Sequence, residues 1–286
     1  MQILDGKNTA QKINDSIREQ ILKDLESLGR PPRIDMILVG DEYGSAKYVS
    51  MKEKRASELG FDGVVHRLEK SSKTKDVKNK VQELNLFNAV DGFMIQLPMP
   101  DHIDEVSVLE QIDPRKDVDG LTSVNLGKLF QKDPSAIASA TPKGIMLLME
   151  NYGIELEGLN AVVVGRSKIV GLPMAALLNE ANCTVTIAHS RTRDLKSICK
   201  RADILVSAVG MPNFITTDFI KPGAIVIDVG INKATEGNIP VGDVDYLKVA
   251  PMTSYITPVP GGVGPMTISA LMWNTLHVWK SRSYEK

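Results

Sequence analysis

The chain has 286 residues, of which 43% are hydrophobic and 24% are charged, and its formal net charge is -1 at pH 7. This length suits one large domain or two modest domains with a buried core. The near-neutral charge argues against nucleic acid or an anionic membrane surface as a partner.

Strand and helix patterns alternate along the first half of the chain. Residues 9–28 repeat an apolar side chain at every fourth position, which predicts a helix. Apolar runs and turn residues then predict the following elements in order: strand 34–40, helix 45–59, strand 62–68, helix 77–86, strand 89–98, helix 105–111 and a polar loop at 112–125.

A second alternating series begins near Thr141, where we place a domain boundary. Such repeated strand–helix units predict α/β domains with a parallel sheet covered by helices. The predicted elements are a helix at 141–151, strands at 161–164, 184–188, 204–208 and 224–229 with helices between them, and a last helix at 267–280.

Metal binding and export are not expected. The four histidines have no ligand spacing, and Cys183 and Cys199 form neither a CxxC pair nor a zinc pattern. The N-terminus has no basic start followed by an apolar block, and no run is long and apolar enough to span a bilayer. We therefore expect a cytoplasmic protein without a metal.

The sequence "VVVGRSKIVGLPM" at 162–174 indicates a strand that turns into a helix. Glycines at such a turn let a phosphate approach the helix N-terminus, although a plain tight turn remains an alternative. The next strand ends without the carboxylate that typically binds the ribose of NAD, and it carries Ser190 and Arg191 instead. Arg166, Arg191 and Ser190 are therefore candidates for binding the 2′-phosphate of NADP.

Several polar residues in the first half are candidates for a second site. Tyr48 and Lys52 are four residues apart on one helix face, and Gln96 ends an apolar strand. The "KDVDG" loop carries Asp117 and Asp119. Spacing alone also allows Lys52 to be one more solvated cation and either aspartate to cap a turn.

The proline- and glycine-rich stretch at 257–265, "TPVPGGVGP", has two interpretations. Its composition is typical of a linker, whereas the apolar residues close to it on both sides favour an ordered loop.

Nearly the whole chain resembles the bifunctional methylenetetrahydrofolate dehydrogenase/cyclohydrolase family. The matching segments are "ILDGK", "YVSMK", "GFMIQLPMP", "PRKDVDGLTSVNLG", "TPKG", "VVVGRSKIVGLPM", "HSRT", "KPGAIVIDVGIN", "VGDV" and "TPVPGGVGPMT". Ala140 is a departure, because many members have a cysteine before the Thr-Pro-x-Gly segment, but it puts no catalytic role in doubt.

The resemblance implies two α/β domains with a cleft between them: a folate-binding catalytic domain at 1–140 plus 267–286, and a Rossmann-like NADP-binding domain at 141–266. It implies oxidation of 5,10-methylenetetrahydrofolate with NADP⁺, hydrolysis of the methenyl product to 10-formyltetrahydrofolate, and a homodimer. A different NADP-linked dehydrogenase, a member with one activity, or a nucleotide-sensing binding protein are the alternatives.

The resemblance also assigns site residues. Lys52 is the expected catalytic lysine, Gln96 its polar partner, Tyr48 a ring that lines the folate site, and Asp119 the pterin-binding carboxylate. The folate site is expected to include Tyr48, Lys52, Ile95, Gln96, Leu97, Asp119, Pro260, Gly261 and Gly262, with the 260–268 loop closing over it. The NADP site is expected to include Gly165, Arg166, Ser167, Ser190 and Ile231.

The chemistry of the two reactions independently favours a lysine at position 52 and a carboxylate at position 119. Loss of a hydride leaves a delocalised cation, so a neutral lysine is preferred beside it, and burial must then lower a pKa that is ordinarily about 10.4. The same lysine can move protons during hydration. A carboxylate accepts from both donors of the pterin edge, which suits Asp119.

Overall fold

A computed structural model describes residues 1–233 and 240–284 of the chain. Contacts divide the chain into two compact units. We call Lys12–Ala140 with Leu271–Lys286 the N unit, and Met1–Gln11 with Thr141–Ala270 the C unit.

Strands and helices alternate through most of the described chain. The elements up to residue 130 are β1 (Gln2–Ile3), α1 (Gly6–Leu28), β2 (Ile34–Val39), α2 (Tyr43–Leu59), β3 (Val65–Leu68), α3 (Thr74–Leu86), β4 (Gly92–Ile95), α4 (Glu105–Leu109) and α5 (Ser123–Phe130). They are followed by α6 (Ala140–Asn151), β5 (Asn160–Val164), α7 (Gly171–Glu180), β6 (Thr184–Ala188), α8 (Leu195–Cys199), β7 (Ile204–Ser207), β8 (Ile225–Asp228), α9 (Tyr246–Val249), β9 (Tyr255–Ile256) and α10 (Val263–Tyr284).

The N unit contains a three-stranded parallel sheet in the order β3-β2-β4. Every residue of β2 and β4 is buried, as expected for parallel strands that are covered on both faces. Helix α2 follows β2; the Glu42 side chain caps its N-terminus, and Gly60 ends it in the left-handed conformation at φ 88°. Because β2 and β4 are parallel neighbours, their carboxyl ends lie at the same end of this sheet.

The C unit contains a six-stranded parallel sheet in the order β1-β9-β8-β7-β5-β6. The chain moves from β5 outward to β6 and then returns to β7 on the other side of β5. This reversal is a topological switch point, where parallel sheets have a crevice beyond the carboxyl ends of the strands. The loops after β5 and β7 border that crevice.

The α/β fold class and the parallel sheets are confirmed. Among the main elements, every strand and helix predicted by position has a counterpart within a few residues. Strands β1 and β9 and helices α5 and α9 were not predicted. The α-helix predicted between β7 and β8 is wrong, because the described residues of that connection contain only a 3₁₀ turn at Thr217–Phe219. Helix α5 starts inside the predicted polar loop, where Thr122 caps it, and the two-residue strands are too short to show an alternating pattern.

The predicted domain bounds differ from the contact-based units at two places. Residues 1–11 and 267–270 group with the C unit, because β1 pairs with β9 and Ser269 Oγ donates to the Ala10 carbonyl. The bounds of the functional domains stay a prediction. Among the described residues, no helix has both the length and the apolar character needed to cross a membrane.

Candidate active site

Lys52 lies on the buried face of α2. The residues buried along this helix are Ser45, Val49, Lys52, Ala56 and Leu59, which repeat at helical spacing. The Lys52 side chain therefore points into the N unit, and the residue is only 6% exposed. Burial lowers the pKa of its amine, while the nearby negative charge of Asp119 opposes that shift. The alternative of a solvated surface cation is wrong.

Gln96 holds the Lys52 amine at the end of β4. Lys52 Nζ donates to Gln96 Oε1 at 3.1 Å, and Gln96 Nε2 donates to the Leu97 carbonyl at 2.7 Å. The second bond fixes which end of the amide faces the lysine, so Gln96 presents an acceptor to the amine. A neutral acceptor orients the amine without adding a charge that would raise its pKa.

The two aspartates of the "KDVDG" loop have different surroundings. Asp117 is buried and accepts from the backbone of Leu121 and Thr122 and from Asn125 Nδ2 at 2.8–3.0 Å, so it organises the start of α5. Among the described residues, the Asp119 carboxylate accepts no hydrogen bond. The capping alternative thus applies to Asp117, whereas the carboxylate oxygens of Asp119 have no donor in the described part of the chain.

Backbone pairing brings Asp119 towards the end of β4. Phe93 forms a parallel bridge with Asp117, and two residues further along these segments come Ile95 and Asp119. Gly92 permits this close approach, because a Cβ atom there would meet Val118 Cγ1 at 2.0 Å. Asn274 on α10 also anchors this loop by donating to the Val118 carbonyl at 2.9 Å.

The electrostatics of Asp119 complement those of Lys52. Desolvation raises the pKa of the Asp119 carboxyl to about 6, the positive charge of Lys52 opposes this shift, and Asp117 adds to it. At neutral pH Asp119 is mostly ionised and can accept two hydrogen bonds from one planar donor pair.

The other predicted folate residues are spread over both units. Tyr48 is half-buried one turn before Lys52, and burial raises the pKa of its phenol. Ile95 is buried and Leu97 half-buried, on either side of Gln96. Pro260, Gly261 and Gly262 lie in the C unit in the loop before α10, and Lys7 N donates to the Gly261 carbonyl at 3.1 Å. The 257–262 segment is thus held by backbone contacts, as the ordered-loop interpretation expects.

The turn after β5 requires glycine at two positions, because neighbouring backbone lies close to both. Gly165 has φ +132°, and a Cβ atom there would meet the Ala208 carbonyl oxygen at 2.5 Å. A Cβ atom at Gly171 would meet the Gly165 carbonyl oxygen at 2.3 Å, so the start of α7 packs tightly on the turn. The first N–H groups of α7 are already engaged in this turn, because Gly171 N donates to Ser167 Oγ at 3.4 Å and Leu172 N to the Ser167 carbonyl at 3.0 Å.

Two exposed polar residues follow the ends of the neighbouring strands β5 and β6. Val164 of β5 pairs with Ala188 of β6, and Arg166 and Ser190 each follow two residues later. Ser167 Oγ accepts from Val170 N at 3.1 Å and so also shapes the turn. Ile231 follows β8 at the same edge and is 55% exposed. These residues fit a dinucleotide with an additional phosphate.

Two groups of residues near these sites were not predicted from the sequence. Met94 Sδ lies 3.2 Å from Lys52 Nζ; because side chains two apart in a strand share a face, its spacing from Gln96 could have indicated it. Asp228 and Asp243 are buried beneath the C-unit edge. The "VGDV" segment contains Asp243, but no pattern within it reveals its long-range partners.

The fold and these residues define a class of protein: a dehydrogenase-type α/β enzyme with a nucleotide crevice in one unit and a buried lysine in the other. Family models agree with this class. Residues 4–119 match the catalytic domain of tetrahydrofolate dehydrogenase/cyclohydrolase, and residues 139–283 match its NAD(P)-binding domain.

Similar proteins include the bifunctional protein FolD of Campylobacter curvus, which is 49% identical over 99% of this chain and 97% of that protein. The crystal structure of the FolD methylenetetrahydrofolate dehydrogenase/cyclohydrolase from Campylobacter jejuni is similar with a TM-score of 0.95 and 42% identity, covering 99% of both chains. The Trypanosoma brucei enzyme, solved with NADP and an inhibitor, has a TM-score of 0.92 and 38% identity over 97% of this chain and 96% of that one.

The chain belongs to the tetrahydrofolate dehydrogenase/cyclohydrolase family.

Proposed function

We propose that Lys52, Gln96 and Asp119 form the centre at which this chain performs both reactions of its family. The chain is an NADP-dependent enzyme that oxidises 5,10-methylenetetrahydrofolate to the 5,10-methenyl form and hydrolyses that form to 10-formyltetrahydrofolate. The observation that carries the residue assignment is the buried Lys52 amine, held by the neutral Gln96 amide at 3.1 Å.

Asp119 positions the substrate in this proposal. Its ionised carboxylate accepts from the amide N–H and the amino group of the pterin, and no protein donor competes for it among the described residues. The half-buried Tyr48 lines the site one helical turn from Lys52. Ile95 and Leu97, on either side of Gln96, contribute further contacts with the folate, and the role of the 260–262 segment stays a prediction.

Lys52 has a different task in each reaction. During oxidation, a neutral amine avoids repulsion of the cation that develops between the two nitrogens of the folate. During hydrolysis, water must lose a proton and the departing nitrogen must gain one. An amine with a lowered pKa can accept the first proton and return one to the nitrogen.

The C unit would hold NADP through the turn at Gly165, Arg166 and Ser167, with Ser190 and Ile231 at the neighbouring strand ends. When bound, NADP⁺ accepts the hydride that the methylene group loses. The Arg166 guanidinium and the Ser190 hydroxyl supply charge-assisted and neutral hydrogen bonds to the 2′-phosphate. We also propose that the protein is cytoplasmic and forms a homodimer, as the family resemblance implies. Analytical ultracentrifugation would test the dimer.

A coupled assay tests the function. The purified protein is mixed with 5,10-methylenetetrahydrofolate and NADP⁺, or NAD⁺ in parallel, and absorbance reports reduced cofactor and methenyl product. The hydrolysis is measured separately, with methenyltetrahydrofolate and no cofactor. Absence of turnover in both assays, with a protein that is folded by circular dichroism, would overturn the proposal.

A further inference from the structure

Asp243 is a fully buried carboxylate near the carboxyl ends of the strands in the C-unit sheet. It accepts five hydrogen bonds, which come from two segments of the chain. The donors are Ser207 Oγ at 3.2 Å, Val209 N at 2.8 Å and Gly210 N at 3.2 Å to Oδ2, and Met211 N and Asn232 Nδ2, both at 3.0 Å, to Oδ1. Burial of a carboxylate is costly unless such donors compensate for lost water.

The first segment, 207–211, begins at the last residue of β7 and borders the crevice at the switch point. The Ala208 carbonyl already limits the space beside Gly165, since a Cβ atom at Gly165 would meet its oxygen at 2.5 Å. The width of the crevice between the loops after β5 and β7 therefore depends on where the 207–211 segment is held. Three successive backbone N–H groups of that segment, from 209 to 211, donate to Asp243.

The second segment follows β8 and contains Asn232, next to the exposed Ile231. The Asp243 carboxylate thus connects the loop after β7 to the loop after β8. Both loops lie at the edge of the sheet where the turn at Gly165 also lies.

Asp228 holds the backbone around Asp243 in place through hydrogen bonds. Its Oδ1 accepts from Asp243 N and Gly230 N at 2.9 Å, and its Oδ2 accepts from Val244 N at 2.9 Å. Gly230 and Gly242 leave room for the carboxylates: a Cβ atom at Gly230 would meet Asp243 Oδ1 at 2.3 Å, and one at Gly242 would meet Asp228 Oδ2 at 1.9 Å. The packing around the carboxyl ends of β7 and β8 therefore depends on both the Asp228 and the Asp243 carboxylates.

We propose that Asp243 is a positioning residue for NADP: it holds the loops after β7 and β8 at the separation that the dinucleotide needs. Its side chain is buried and acts through these loops, so it does not bind the cofactor itself. This inference rests on the proposed function, because it assumes that the crevice at the switch point takes NADP.

Asp243→Asn is the direct test, because asparagine has nearly the same shape but directs an NH₂ group at backbone donors. We expect the Kd of NADP⁺, measured by isothermal titration calorimetry, and the KM for NADP⁺ to rise at least about tenfold, the effect of leaving buried donors unpaired. Cyclohydrolase kcat/KM, measured without NADP⁺, should stay within about twofold of the wild-type value because Lys52, Gln96 and Asp119 are untouched.

Asp203→Asn is the matched control. Asp203 directly precedes β7, at the opposite edge of the sheet, and accepts from Asn160 N at 2.9 Å and from Lys221. Loss of these bonds should lower the melting temperature and leave the Kd of NADP⁺ unchanged. If Asp243 served only folding, Asp243→Asn would also lower the melting temperature and leave the Kd of NADP⁺ unchanged.

The outcomes separate this inference from the proposed function. Unchanged NADP⁺ affinity in Asp243→Asn, or a parallel fall of both activities with the folded fraction, overturns the positioning role. If that variant does not fold, Ser207→Ala decides, because it removes one of the five bonds; a Kd raised about threefold or more supports the role, and an unchanged Kd overturns it. A wild-type protein that fails to bind NADP⁺ overturns the proposed function and this inference with it.

Discussion

Replacing Lys52 by methionine should separate the two reactions. Methionine keeps a long unbranched side chain but removes the titratable nitrogen. Lys52 is 6% exposed, and its Nζ lies 3.2 Å from Met94 Sδ, so an apolar side chain finds a suitable environment. Gln96 Oε1 loses its donor, which costs about 1–3 kcal/mol, but a buried amine no longer needs to be desolvated. The variant should therefore fold.

The expected losses of rate differ because only hydrolysis moves protons. General acid–base groups contribute about 10²–10⁴-fold, which corresponds to about 2.7–5.4 kcal/mol at about 1.36 kcal/mol per tenfold. The cyclohydrolase should fall by that factor. The dehydrogenase needs distance and alignment and loses only an orienting contact, of about 0.5–1.5 kcal/mol, so it should fall by about two- to thirteenfold.

Both rates are measured on each purified variant, with circular dichroism to confirm folding. Lys54→Met is the matched control: Lys54 lies on the same helix, its side chain is 79% exposed, and its only ion pair in the described part of the chain is with Glu58 at 3.9 Å. That control should keep both activities. If Lys52→Met loses the dehydrogenase and keeps the cyclohydrolase, Lys52 is not the proton shuttle and another group activates the water.

Three further predictions concern recognition. Arg166→Ala should weaken NADP⁺ binding by about tenfold or more, the value of a charged hydrogen bond, and leave NAD⁺ little changed; Lys168→Ala, an exposed neighbour, is the control, and equal losses for both cofactors would mean that Arg166 holds the pyrophosphate or the turn. Asp119→Asn replaces an acceptor with a donor, so both folate activities should fall together while the Kd of NADP⁺ stays unchanged; normal turnover of either folate would make Asp119 a loop-stabilising residue. Because the Asp119 carboxyl has a pKa raised to about 6 and binds the pterin only when ionised, affinity for tetrahydrofolate, measured by calorimetry, should be constant above that pH and decline towards about tenfold per pH unit below it. Affinity that does not change between pH 5 and 7 would contradict this assignment.

The sequence alone determined the fold class and the approximate positions of most elements. Apolar periodicity reflects backbone geometry within a single helix or strand, so it can be read locally. The turn at Gly165 was predictable for the same reason, because its glycines and the strand before it are adjacent in sequence. Helix α5 escaped this reading because its eight residues follow a polar loop and offer only two turns of pattern.

The candidate residues at the catalytic centre were found by resemblance, but spacing could not assign their states. Lys52 and Lys54 are both lysines of α2, and only packing shows that one is buried while the other is exposed. Asp117 and Asp119 are equivalent in the sequence, and only the contacts of Asp117 with the start of α5 distinguish them.

Tertiary structure decided the pairings on which the proposed chemistry depends. Lys52 and Gln96 are 44 residues apart, and Asp243 meets Ser207 across 36. Burial, hydrogen-bond partners and the resulting pKa of a group depend on atoms that distant segments bring together. No local pattern encodes them, because a side chain's environment exists only once the sheets and helices have packed.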